Sequence, residues 1–363
     1  MIETTAGELV ASVGKDDASV AVRRRLFSVG LLLCTWIPMV FFLTAGAYGT
    51  PNAGARATKA ILLLLSAVHV PATALLYGDR AFRGLIRENT MRYVYLPVVL
   101  VLGSGAIFAF GSVVAQAYLW LVFWAWQAYH YGRQNVGVYA LAGTAGGWRP
   151  DIAERRILEA STVCGILGTF KVLGMDVSPS YLHGLFDLLY RAGFVVFLGV
   201  LVAAGAVYLR SWQDFSAGRA LFFATLTLFF LPIFLSSSMD GAFFSYAIAH
   251  GVQYLLILTV LSVNLGTTDG RRGISGAMLA VPALALLIAL VGGRPEPRGL
   301  EWVKGSGMVR TALDFALGMS LGCTLAHFVI DAGAWRLRQP SVRAYLTRRF
   351  GFLFDRTLAV SRG

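Results

Sequence analysis

The feature that most limits what this chain can become is a succession of apolar blocks, each about 20 residues long. About 20 residues, at ~1.5 Å of rise each, cross the ~30 Å hydrocarbon core of a bilayer. Inside hydrocarbon every backbone N–H and C=O needs a partner within the protein, so such blocks must be helices. They occur near 26–48, 60–77, 93–112, 113–142, 157–175, 191–209, 218–236, 243–265, 274–292 and 308–335. Composition agrees, since 57% of the 363 residues are apolar and only 14% charged, against roughly 25% charged in a soluble domain. The expectation is an all-α, polytopic transmembrane bundle of about ten spans. It divides into a cytoplasmic segment 1–25, a helical membrane domain 26–335 and a basic cytoplasmic or interfacial tail 336–363.

The net charge of +12 would point to nucleic acid in a soluble domain. Here the basic residues lie between the apolar blocks, where they read as topology signals and contacts with anionic membrane lipid, and no nucleic-acid partner is expected. With the amino terminus inside, the inner segments hold 22 lysines and arginines: Lys15 and Arg23 to Arg25, Arg80 to Arg92, Arg149 to Arg156, Arg210 and Arg219, Arg271 and Arg272, and the tail. The outer segments hold 7, among them Arg56, Lys59 and Arg191, and Arg133 and Lys171 fall within spans. That asymmetry places both termini in the cytoplasm. The apolar run between Arg23–Arg25 and Ala45-Gly46-Ala47 is too long for an ordinary signal-peptide core, so it is expected to be retained as the first span. Cys34, Cys164 and Cys323 all fall in spans and are odd in number, which argues against a disulfide framework. The tail from Arg336 to Arg349 reads as a basic interfacial helix after Pro340.

Four of the five histidines, His69, His130, His250 and His327, sit inside apolar blocks on four different helices. An ionisable group facing lipid is costly, so all four should face the bundle interior. His130 lies between Gln127 and Gln134, His250 between Tyr246 and Gln253-Tyr254, His327 between Cys323 and Asp331, and His69 between Ser66 and Thr73. These spacings stack polar groups on one helix face. Counted from block centres, His69 and His130 are central, the latter only if the fourth helix runs to about Ala142. His250 lies roughly 6 Å outward and His327 roughly 8 Å inward. Those offsets permit one elongated site or two adjacent ones. His183, by contrast, falls in an outer connection and is expected to pair with Asp187, while Lys171, Glu159 and Asp314 lie toward span ends where side chains snorkel.

Three readings follow from the residues. Imidazoles with a carboxylate suit a metal centre, Asp331 serving as ligand or as the partner that orients His327. The same groups suit a proton relay. Two axial histidines would suffice for haem, with Gly103, Gly105, Gly132 and Gly251 opening a pocket. Against all three stands simple packing, in which each histidine bonds a neighbouring hydroxyl or carbonyl.

Three segments, His130-Tyr-Gly-Arg-Gln-Asn-Val-Gly137, His250-Gly-Val-Gln-Tyr254 and His327-Phe-Val-Ile-Asp331-Ala-Gly-Ala-Trp335-Arg, resemble those of a group of polytopic bacterial membrane proteins without an assigned activity. The resemblance implies a multi-pass protein of the bacterial inner membrane. Membrane fatty-acid desaturases and hydroxylases look like a di-iron precedent, but their His-x3-His and His-x2-His-His boxes are absent here. The Pro-His-Gly-type motif of the bacterial carotene-cleaving oxygenases is absent too. The expected function is a metal-dependent oxidoreductase, with non-haem iron, acting on a hydrophobic lipid-like small molecule. Its metal ligands would be His69, His130, His250, His327 and Asp331. Gln134 and Gln253 would support them, and Arg133 would hold a polar head group. A proton-coupled transporter and a haem protein are the alternatives.

Overall fold

The computed structural model describes residues 6–48, 53–174, 178–236, 238, 240–268 and 307–354. The ninth apolar block, 274–292, and the charges beside it lie outside the described residues. Those described are helical with no strand. The longer helices are α1 (Ala6–Tyr48), α2 (Ala53–Ala72), α3 (Leu75–Gly78), α4 (Arg80–Glu88), α5 (Leu96–Phe110), α6 (Val113–Gly146) and α7 (Ile152–Thr169). They continue with α8 (His183–Arg210), α9 (Ala217–Thr227), α10 (Pro232–Leu235), α11 (Ser245–Thr268), α12 (Gly307–Ala334), α13 (Pro340–Arg349) and α14 (Gly351–Phe354).

Among the described residues, six helical runs are long and apolar enough to cross a membrane: Ala18–Ala45, Ala53–Gly78, Met91–Phe110, Ser180–Arg210, Gly241–Leu261 and Gly307–Ala334. Their outer faces are correspondingly apolar, with Val98, Val99 and Leu102 of α5 exposed. The protein is therefore a helical membrane protein. α6, with 34 residues, and α7, with 18, are not among these runs, and α9 is a shorter apolar helix extended to Phe230 by a 3-10 turn.

Local chemistry sets the ends of these helices. The Ser112 hydroxyl accepts from Ala115 N at the start of α6, and Gly147, with φ 75°, closes its end in the left-handed region that favours glycine. Asp151 and Glu154 form a capping box on α7. Pro71 lies in the last turn of α2, and the chain leaves the helix at Thr73. α6 runs unbroken past Arg133, Gln134 and Asn135 to Gly146, which puts His130 midway along it.

α12 is held against α5 by glycines one turn apart. A Cβ at Gly318 would approach Phe108 Cβ to 2.8 Å and one at Gly322 would meet Leu100 O and Val101 Cα at 2.6 Å. This is the small-xxx-small contact that lets membrane helices touch backbone to backbone.

Two of the arginines that the sequence assigns to inner segments are turned into the protein. Arg219 of α9 donates from Nε and Nη2 to the buried Glu154 carboxylate, both at 2.9 Å, and Tyr139 of α6 donates to the same carboxylate at 2.7 Å. Arg349 donates to Asp79 at 2.8 Å with both side chains buried. The tail thus departs from the expected interfacial helix. Val342, Tyr345, Leu346 and Arg349 of α13 form a buried face packed on the protein, while Arg343, Ala344, Thr347 and Arg348 are exposed. Burial, then the Asp79 carboxylate, pushes the Tyr345 phenol above its ordinary pKa. Arg24 Nε donates to Phe352 O at 2.7 Å, so the start of the first span meets α14, the last of the described helices.

Gly322→Leu should separate α5 from α12, because backbone cannot yield as a side-chain tip can. We expect a loss of about 1–3 kcal/mol, read as a lowered unfolding midpoint in detergent. Leucine at Gly103, which a Cβ would leave clear of any neighbour within 4 Å, should change that midpoint little.

Candidate metal centre

α2, α6, α11 and α12 each carry one of the four histidines, and the bundle brings all four together. His69, His130, His250 and His327 are between 1% and 7% exposed, and Asp331 is 4% exposed. Ring centroids of His69 lie 5.0 Å from both His250 and His327, and those of His130 lie 4.9 Å from His250 and 5.2 Å from His327. The ligand atoms of His69, His250 and His327 all lie within 4.8 Å of one another, as do those of His130, His327 and Asp331.

The hydrogen bonds around the cluster fix where the protons are. The Ser66 carbonyl can only accept, so His69 Nδ1, which is bonded to it, carries the proton and Nε2 carries a lone pair. Tyr254 Oη donates to Asp331 Oδ1 at 2.7 Å, so Thr73 Oγ1, 3.0 Å from that phenol, donates to it. His327 Nδ1, 2.6 Å from Thr73 Oγ1, must then be the donor to the threonine. Its Nε2 is left bare, 3.6 Å from Asp331 Oδ2, and His130 Nε2 is 3.9 Å from the same oxygen.

This leaves Nε2 of His69 and of His327 each with an unshared electron pair inside the cluster. Nε2 of His69, His130 and His327 and both ring nitrogens of His250 are buried without any hydrogen-bond partner among the described residues. Unpaired buried polar atoms each cost about 1–3 kcal/mol, and several lone pairs aimed at one another repel. A cation among them removes both costs. Imidazole nitrogens bind zinc at ~2.0–2.1 Å, so donors on opposite sides of an ion lie about 4 Å apart, close to the spread here. These groups could hold a metal ion.

The surroundings hold the rings in place. Phe328 stacks on His130 at 4.3 Å and Tyr131 lies 4.3 Å from His250. Gln134 Nε2 donates to His250 O and to Gln253 Oε1, both at 3.1 Å. Gln253 Nε2 donates to Thr35 Oγ1 at 2.5 Å, and Thr35 donates to Leu31 O at 2.8 Å. This ladder of donors ties α6 and α11 to α1. A Cβ at Gly251 would sit 2.9 Å from His69 Nδ1, so glycine there lets α11 approach the first ligand helix.

Sequence reasoning missed Thr35, which is far from any histidine in the chain, and gave no part to Phe328 or Tyr131, each of which follows a histidine directly. Depth counting also misled: it set His250 and His327 far apart, whereas their ring centroids are 6.3 Å apart. Helices are not centred alike. His250 is central in Gly241–Leu261, while His327 and His69 lie seven and nine residues before the ends of their runs, Ala334 and Gly78.

Other expected residues are elsewhere. Arg133 is exposed and its Nη1 contacts Glu159 of α7 at 3.2 Å, outside the cluster. His183 Nε2 lies 3.3 Å from Ser178 O and not on Asp187, whose carboxylate is taken by Lys171 at 2.7 Å and Arg191 at 2.6 Å. Lys171 is therefore paired within the protein instead of reaching to the surface alone. Gly105, Gly132 and Gly251 serve close helix contacts: added Cβ atoms would meet Phe315, Thr162 and His69.

Fold and site together define a class: a polytopic helical membrane protein with a buried imidazole and carboxylate cluster. Compared with protein-family models, curated proteins and solved structures, the chain matches none.

Tyr254→Phe removes the donor to Asp331 Oδ1 and the acceptor of Thr73 while keeping the ring. It should cost about 1–3 kcal/mol, measured as a shift of the unfolding midpoint. Tyr129→Phe, on the exposed face of α6, should leave that midpoint within experimental error.

Proposed function

We propose that this protein is a membrane-embedded, metal-dependent oxidoreductase that acts on a hydrophobic, lipid-like substrate. Its metal is held by His69, His130, His250, His327 and Asp331. One observation carries the reading: buried imidazoles from four helices, with ring nitrogens that lack a hydrogen-bond partner among the described residues, fall into two ligand groups that share His327, one of them including Asp331. Mixed histidine and carboxylate ligation suits non-haem iron, which would supply redox chemistry and an open position for oxygen. Neighbouring rings about 5 Å apart favour a bare ion over a haem macrocycle between them. Gln134, Gln253 and Thr73 orient ligands, as outer partners do in metal sites generally. Burial between apolar helices favours a substrate arriving sideways from the bilayer.

The chain has about ten spans with both termini in the cytoplasm, in the bacterial inner membrane. The meeting of Arg24 with Phe352 supports termini on one side. The 22 to 7 distribution of basic residues supports the inner side.

A proton relay is the second reading, favoured by the chain from His327 through Thr73 and Tyr254 to Asp331. That chain begins and ends one turn apart on α12, so it orients His327 and Asp331 better than it carries protons across a membrane.

Protein purified in detergent without chelators should contain about one metal ion per chain by elemental mass spectrometry. His69→Ala, His250→Ala and His327→Ala should each lower metal affinity by at least ~100-fold while retaining helical circular dichroism. Metal-free wild type overturns the reading. Lipid extracts of cells making wild type or the His327→Ala variant should differ by an oxidised species, and identical extracts would contradict the assignment as an enzyme.

A further inference from the structure

The arginines of the inner segments are of two kinds. Arg219 and Arg349 are satisfied by buried carboxylates, but α4 presents the opposite arrangement. Its Phe82 and Leu85 are buried, with the Phe82 ring 5.3 Å from Tyr93 and 5.7 Å from Tyr345. Arg80, Arg83 and Arg87 stand exposed on the other face at spacings of three and four, so their guanidiniums are neighbours on one side of the helix. None of these three side chains takes part in a hydrogen bond or ion pair among the described residues.

Between them is a notch of about 350 Å³ lined by Arg80, Arg83, Gly84 and Arg87. Packing does not demand glycine at 84, since a Cβ there would meet nothing within 4 Å. Its absence leaves the floor between the arginines open. α4 follows the span ending at Gly78 and precedes the one starting at Met91, so it lies along the face where two spans end. The buried Asp79–Arg349 pair fastens it to α13, whose exposed Arg343 and Arg348 extend the basic surface.

We infer that Arg80, Arg83 and Arg87 form a binding site for the phosphate of an anionic phospholipid headgroup. Guanidinium donates in a fork that matches phosphate oxygens, and each basic residue near an anionic surface contributes about 1 kcal/mol. Ordinary topology charges need only the right side of the membrane. This site also needs its arginines on one helix face around an unfilled notch.

The test is native mass spectrometry of the full chain in neutral detergent, with phosphatidylglycerol or phosphatidylcholine added at equal concentration. Wild type should bind phosphatidylglycerol about tenfold or more tightly than phosphatidylcholine. Arg80→Gln/Arg83→Gln/Arg87→Gln should abolish the preference, and Gly84→Leu, which keeps every charge but fills the notch, should weaken it. Arg149→Gln/Arg155→Gln/Arg210→Gln removes the same charge elsewhere, from exposed positions outside this surface, and should retain it. No preference in wild type overturns the proposal, as does equal loss in the two triple variants. Inorganic phosphate that displaces the lipid at equal concentration overturns the lipid assignment. Metal content is read separately in each variant and should not change.

Discussion

The structure depends on burying lone pairs. Four imidazoles and a carboxylate are removed from water in the middle of a helical bundle, where the low dielectric makes each unpaired polar atom expensive. The hydrogen bonds around them do not relieve this. They direct the protons of His69, His327 and Tyr254 to the outer side of the cluster, at Ser66, Thr73 and Asp331 Oδ1, and leave Nε2 of His327 and of His130 beside Asp331 Oδ2. A polar core arranged for stability alone would be expected to turn some of these protons inward. The arrangement instead matches a site built to be completed by a cation.

Much of the remaining fold can be understood as support for that geometry. Gly318 and Gly322 bring α12 against α5, and Gly251 brings α11 against α2, so ligand helices are set by backbone contact. The ladder from Gln134 through Gln253 to Thr35 gives the buried amides partners and locks α6 and α11 to the first span. Farther out, the Glu154 and Arg219 pair and the Asp79 and Arg349 pair fasten α9 and α13 to the bundle. Both are buried ion pairs, whose value lies more in fixing one arrangement than in net stability.

The sequence made the helical membrane class legible because apolar block length reports bilayer thickness directly. The histidines were legible for a related reason: ionisable groups in apolar blocks face inward, and helical spacing pointed to Thr73, Gln134, Gln253 and Asp331 as neighbours. What could not be read is whatever depends on how helices slide and rotate against one another. His250 and His327 looked widely separated because a block centre is a poor guide to depth when helices end at different heights. Arg133, three residues from His130, looked like part of the site, yet the turn of α6 carries it out to Glu159. Thr35 carried no signal in sequence, since an ordinary threonine in a span acquires a role only through a partner helix, and Phe328, though next to His327, gave no hint that it stacks on His130 of another helix. The inward turn of Arg349 was hidden likewise, because its partner Asp79 is 270 residues away.

The most direct test of the central claim is X-ray absorption at the edge of whichever metal the purified protein carries. The account predicts a nitrogen and oxygen shell at ~2.0–2.2 Å, with the multiple-scattering signature of at least three imidazoles, lost when His327 is replaced by alanine. A shell dominated by sulfur or by water oxygens, or a spectrum unchanged by that substitution, would contradict it.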